Sequence, residues 1–143
     1  MKKYFFVLIL GLILCRPVQA IEYRLNLLFS GCVGVGAGLV HPLNPYSNLE
    51  AGIMLAAFDP ALPILFEAHY QRYLSESAQD QPFVQVGFQR ISADYKLLDF
   101  VKFGGGWRNP FQLSERLEAA LFGGYFLDQK RIGLVGINLS YLL

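Results

Sequence analysis

Apolar and polar residues alternate with a period of two through most of this chain, most plainly over its last twelve residues. There Val135, Ile137, Leu139, Tyr141 and Leu143 share one parity, and Leu134, Gly136, Asn138, Ser140 and Leu142 the other. Successive side chains of a strand point to opposite faces, so the segment is a strand with one oily face. The same period begins with Glu22, Arg24 and Asn26 against Tyr23, Leu25 and Leu27. It continues in Cys32 to Val40, where Gly34, Gly36 and Gly38 oppose Val33, Val35, Ala37 and Leu39. Glycines along one face leave room for a bulky neighbour inside a narrow barrel, or permit a sharp coil.

The turn residues Pro42, Asn44, Pro45 and Ser47 separate that segment from a strand with Leu49, Ala51, Ile53, Leu55 and Ala57 on one side and Glu50 and Met54 on the other. After Asp59-Pro60, Ile64, Phe66, Ala68 and Tyr70 alternate with Leu65, Glu67, His69 and Gln71, and the polar stretch Ser75 to Gln81 is expected to be the longest exposed connection. Val84, Val86 and Phe88 mark the next strand. A less regular passage from Ile91 to Asp99 leads to Val101, Phe103 and Trp107 against Lys102, Gly104 and Arg108. Asn109-Pro110 turns the chain into Leu117, Ala119, Leu121 and Tyr125 against Glu118, Ala120, Phe122 and Gly124, and Asp128 to Arg131 connects to the last strand. Seven strands are distinct, and an eighth depends on a break near Ser30-Gly31.

One internal similarity follows the same grammar. Gly36, Gly38, Pro42 and Leu49-Glu50-Ala51 recur 68 positions later as Gly104, Gly106, Pro110 and Leu117-Glu118-Ala119. Duplication of a hairpin unit and convergent use of one turn grammar both require strand, turn, strand. The expected fold is therefore all-β: an antiparallel up-and-down meander of about 8 strands closed into a barrel.

Ahead of the strands, Lys2 and Lys3 precede an apolar run from Tyr4 to Cys15, and the segment ends in Val18-Gln19-Ala20. That run is shorter than the roughly 20 residues a membrane helix needs and has the layout of an export signal. The expected organisation is a cleaved signal peptide over residues 1–20 and a single domain over 21–143. Without the signal, 9 basic residues face 11 acidic ones, a formal charge of −2 that offers no nucleic-acid footprint. Cys32 is then alone, so neither an intramolecular disulfide nor a cysteine metal site is expected, and no cofactor is called for.

What covers the oily faces is the central question, because alternation alone does not separate a second sheet from lipid. The polar faces are the better guide. They carry Gly, Ala, Gln and Asn with isolated charges, which suits the crowded lumen of a barrel of about 8 strands. Glu22, Arg24, Glu50, Glu67, His69, Lys102, Arg108 and Glu118 are the candidate lumen cluster, neutralising one another inside. Tyr23, Phe29, Tyr70, Phe88, Trp107, Tyr125 and Tyr141 share the apolar parity, several near strand ends where interfacial girdles are expected. A soluble periplasmic sandwich or open barrel, binding lipid or an envelope partner, is the alternative.

In this general pattern, over the whole mature length and with no single diagnostic motif, the chain resembles the small outer-membrane β-barrel proteins of Gram-negative bacteria. The resemblance implies residence in the outer membrane among its lipids. It also implies the barrel-assembly machinery as a partner during insertion, with Tyr141 at the third position from the end and the terminal Leu143 forming the assembly signal. The family usually ends on Phe or Trp instead.

Candidate chemistry is sparse. Glu67, His69 and Gln71 share a strand face, where an acid could orient an imidazole base. The run His69-Tyr70-Gln71 is faintly similar to the His-Tyr-Ser-Asn stretch of outer-membrane lipid A deacylases, but Gln71 stands where the nucleophilic serine would be. Gly104-Gly105-Gly106 lacks the Lys-Ser/Thr pair and helix of a phosphate loop. An open pore conflicts with size, since about 8 strands leave a bore that side chains fill. A structural, anchoring or surface-interaction role without catalysis is the expected function.

Overall fold

The computed structural model describes residues 21–30, 33–57, 63–76, 81–93 and 96–143. The proposed signal peptide and Cys32 lie outside them. The strands are β1 (Glu22–Phe29), β2 (Val33–Asn44), β3 (Ser47–Ala57), β4 (Ile64–Tyr73), β5 (Gln81–Ala93), β6 (Lys96–Arg108), β7 (Leu117–Phe126) and β8 (Arg131–Leu142). Each pairs antiparallel with its neighbours in sequence, and β8 returns to β1 with Leu25 opposite Tyr141 and Phe29 opposite Ile137. The result is one closed ring. Closure removes both sheet edges and with them the unpaired peptide groups that hydrocarbon would not tolerate. The two-layer sandwich and the open barrel are thereby set aside, because the sheet has no second layer and no seam.

The eighth strand exists because the chain breaks after Phe29, where the Ser30 hydroxyl donates to the carbonyl of Val135 at 2.9 Å. The irregular passage near Ile91 is a hairpin, with Ser92 paired to Leu97 and Arg90 to Asp99. One rim, which holds both ends of the barrel domain, carries the β2–β3 turn, the β4–β5 connection and the β6–β7 connection. The longest of these is Asn109–Arg116, not Ser75 to Gln81, and it contains a single 3-10 turn at Pro110–Gln112. Sequence reasoning missed this because Phe111 and Leu113 look like strand residues, while both stand exposed on the loop. Asn109, Phe111 and Gln112 hold positive φ there (57°, 58° and 57°).

Side-chain direction follows the alternation. The seven aromatics on the apolar parity all point out of the barrel and are exposed, as are Leu25, Ile53, Leu55, Val84, Val86 and Leu121. Among the described residues, the charges on that outer strand face are Arg72, Arg90 and Asp99. Arg72 stands next to the end of β4, and Arg90 and Asp99 form a 2.6 Å ion pair across the β5–β6 hairpin. At β8 a register shift opposite Gly124 and Tyr125 changes the parity, so Ile132 joins Val135 and Ile137 on the outside.

Inward glycines let the strands crowd. A Cβ on Gly87 would run into the backbone and Cβ of His69, and one on Gly104 into the carbonyl of Leu121, so backbone itself occupies the space. Of the two uses considered for such glycines, room for a close neighbour is the one that applies at both positions.

Candidate functional site: a sealed, charged lumen

Leu28, Met54, Ala56, Leu65 and Phe122 cluster inside the half of the barrel away from the chain ends, with Ile91 packed against them. Phe100 is fully buried nearby and tilts against Phe126, ring centroids 5.3 Å apart. Toward the other rim Tyr73, Phe83 and Ala120 form a second cluster, Tyr73 meeting Phe83 edge-on at 6.0 Å. A layer of buried polar side chains lies beside this second cluster, with Glu118 nearer the rim than Ala120 along β7.

Arg24 is the hub of that layer. Its Nη1 donates to Glu50 Oε2 at 2.7 Å and lies 3.0 Å from Glu118 Oε2, all three residues being about 2% exposed. Glu50 and Glu118 are the equivalent positions of the internal repeat. Because β3 and β7 stand four strands apart in a ring of eight, the repeat sends two carboxylates inward from opposite walls onto one guanidinium. Glu118 also accepts from Gln71 Nε2 at 3.1 Å and from the Tyr73 hydroxyl, which in turn accepts from Asn48 at 3.3 Å. Deeper in the bore, Lys102 Nζ donates to Glu67 Oε2 at 3.0 Å and lies 4.6 Å from the centre of the Phe122 ring.

The expected pairing of Glu67 with His69 is not what forms. Two residues along a strand are separated by about 6.6 Å of rise, so partners from other strands come closer. His69 instead places Nε2 2.7 Å from Oε2 of Glu50, its direct neighbour on β3, and Glu67 takes Lys102. Two further members of the expected cluster do not join it. Glu22 has the right parity but sits at the first position of β1 and is exposed. Arg108, half-buried at the rim, donates from Nε to the carbonyl of Glu115 at 2.8 Å and stacks over Tyr73 at 5.7 Å. Asn26, Gln85, Gln89, Asn138 and Ser140 line the lumen as the polar parity predicts, and Tyr73, which sequence reasoning missed, joins them. Extending the Glu67, His69, Gln71 parity by two positions would have found it.

The chemistry open to this arrangement is limited. Three lumen carboxylates face two basic side chains, Arg24 and Lys102, with the His69 imidazole against Glu50. Such a layer fills this level of the lumen with side chains that solvent barely reaches. Among the described residues no cluster of His, Cys, Asp and Glu is suited to holding a metal ion. At the rim, Tyr46 donates its hydroxyl to Glu76 at 2.7 Å, tying the β2–β3 turn to the β4–β5 connection. That carboxylate favours the neutral phenol and holds the Tyr46 pKa above its ordinary value.

No protein-family model and no curated protein matches the chain. Solved structures do. The N-terminal β-barrel domain of Pseudomonas aeruginosa OprF superposes with a TM-score of 0.68 at 13% identity, over 86% of this chain and 96% of that one. A de novo designed transmembrane β-barrel follows at 0.56 and 17%, over 90% and 100%. The outer-membrane enzyme PagL matches at 0.53 and 12%, over 85% and 98%. Identities this low speak to fold alone, and in fold the chain is a small closed β-barrel of the outer-membrane type.

Proposed function

We propose that the protein is an integral outer-membrane barrel that anchors short loops in the envelope and conducts nothing of appreciable size. The observation that carries this is the inversion of polarity. Around the ring the outward strand faces are apolar apart from Arg72 and the Arg90–Asp99 pair, while Arg24, Glu50, Glu67, Lys102 and Glu118 are buried within. A water-soluble barrel would have the opposite arrangement, since exposed apolar patches beyond a few hundred Å² are rare on soluble monomers. Strands of 8 to 13 residues bracket the roughly 9–11 needed to cross hydrocarbon at a tilt. Tyr23, Trp107 and Tyr141, each one residue from a strand end on the same rim, and Tyr70 three residues from another, supply an interfacial girdle.

PagL, an enzyme, shares the fold, but in this chain the residues most suggestive of catalysis do not reach a lipid. His69 and Gln71 face the lumen, 4% and 0% exposed, out of reach of a lipid in the surrounding membrane. Gln71 offers no nucleophile. In the same reading outer-membrane lipid surrounds the barrel, and the barrel-assembly machinery inserts it through the β8 terminus, where Tyr141 faces outward and the Leu143 amide donates to the Tyr23 carbonyl at 2.9 Å.

Expressed with its leader in a Gram-negative host, the protein is expected to fractionate with outer membranes and to show heat-modifiable migration. Proteoliposomes should stay impermeable to small sugars. Recovery in the osmotic-shock fluid, or rapid sugar uptake, would overturn the proposal.

A further inference from the structure

Among the described residues, an apolar notch indents the outer wall. It lies beneath the β6–β7 connection, has a volume of about 610 Å³, and is lined by Trp107, Pro110, Phe111, Ala119, Leu121 and Ile137 among others. No charged side chain lines it. Its origin is a size mismatch: Ala119 stands directly across from Trp107 on β6, and the next outward pair along β7 is Leu121 with Ile137. Small beside large leaves a gap, and the loop roofs it.

We infer that this notch seats one acyl chain of a membrane glycerolipid, a proposal that rests on the membrane reading above. Three observations carry it. The notch is continuous with the apolar outer face, and it opens at the girdle level marked by Trp107, where acyl chains meet headgroups. Its volume falls within the roughly 300–1,000 Å³ of small-molecule sites. The roof is built at a cost: Phe111 stands 93% exposed at φ 58°, between Asn109 and Gln112, which are likewise left-handed. Strained backbone of this kind persists where surrounding structure imposes it and clusters at ligand clamps. Here backbone bonds hold it, with Gln112 N donating to Asn109 O at 3.0 Å and Asn109 N to Leu117 O at 2.7 Å. An apolar hollow facing hydrocarbon loses dispersion contacts unless something fills it, and a flexible chain conforms to it best.

Trp107 is the sole tryptophan, so its fluorescence reports on the notch directly. The full mature barrel, folded in a non-ionic detergent, is titrated with a phosphatidylcholine carrying dibrominated acyl chains. Quenching should saturate near one lipid per barrel. Ala119→Phe, which fills the notch from the outer face and leaves the lumen alone, should weaken that binding at least 10-fold. Phe111→Gly, which accepts positive φ and removes the roof, should weaken it as well while resistance to unfolding holds or improves. Heat-modifiable migration confirms that each variant is folded.

Quenching that tracks the micellar mole fraction and is the same in all three proteins overturns the notch as a lipid site while leaving the membrane reading intact. Cross-linked pairs through Leu121→Cys in a Cys32→Ser background, lost when Ala119→Phe is added, would assign the notch to a second copy and likewise overturn it. A wild-type chain that folds without any amphiphile overturns the membrane reading, and this proposal with it.

Discussion

Replacing Arg24 by methionine is expected to destabilise the folded barrel by about 3–5 kcal/mol, the cost of leaving buried charge uncompensated. The magnitude follows from the hub geometry. Arg24 is the cation shared by Glu50 and Glu118, at 2.7 and 3.0 Å, and all three are essentially excluded from solvent. Its loss leaves three carboxylates facing Lys102 and an imidazole. Methionine keeps the volume, so packing changes little and the electrostatic consequence dominates. Adding Glu118→Gln to Arg24→Met should recover part of the loss, because the amide can still accept from Tyr73 without carrying charge. Urea unfolding in lipid vesicles, followed by Trp107 fluorescence, measures both. A single-mutant cost below about 1 kcal/mol, the range of solvent-exposed pairs, would show that the layer is wet and screened.

The second large effect is on the opposite face. Ile53→Arg, at the middle of β3 and pointing outward between Ala37 and Phe66, should cost roughly 2–4 kcal/mol in vesicles, the depth-dependent penalty for arginine near a bilayer midplane. Leu49→Arg, on the same face but next to the rim, should cost about 0–1 kcal/mol. The contrast between the two sites is what matters. On a water-soluble barrel both positions would tolerate arginine, and the more exposed Ile53 would tolerate it better. Equal effects in vesicles would therefore deny that the belt lies in hydrocarbon.

Much of this architecture is legible in the sequence. The period of two fixes which face each side chain occupies, because a one-residue slip would send every apolar residue inside. Parity alone therefore puts Trp107, Tyr125 and Tyr141 outward and Glu50, Glu67 and Lys102 inward. The repeat at Leu49-Glu50-Ala51 and Leu117-Glu118-Ala119 carried more than strand grammar: ring closure turned it into two carboxylates on one guanidinium.

What parity does not give is position along the barrel axis and partners across the bore. Glu22 and Glu118 look alike in sequence, yet Glu22 is exposed at the first position of β1, while Glu118, at the second position of β7, is buried against Arg24. His69 and Glu67 are sequence neighbours, but each finds its partner on another strand, since closure brings opposite walls nearer than two steps along one strand. The Asn109–Arg116 loop was hidden for a different reason. Its positive-φ residues are Asn, Phe and Gln rather than glycine, so no local signal announced the turn.

The central claim is that hydrocarbon, and not protein or water, covers the outer face of the ring. Its most direct test is to dilute the denatured polypeptide of residues 21–143 into plain buffer and, in parallel, into short-chain phosphatidylcholine vesicles, and to follow β-sheet circular dichroism with sedimentation. The expected result is aggregation in buffer and a folded, heat-modifiable barrel in vesicles. A monodisperse, cooperatively folded monomer in buffer alone would contradict it.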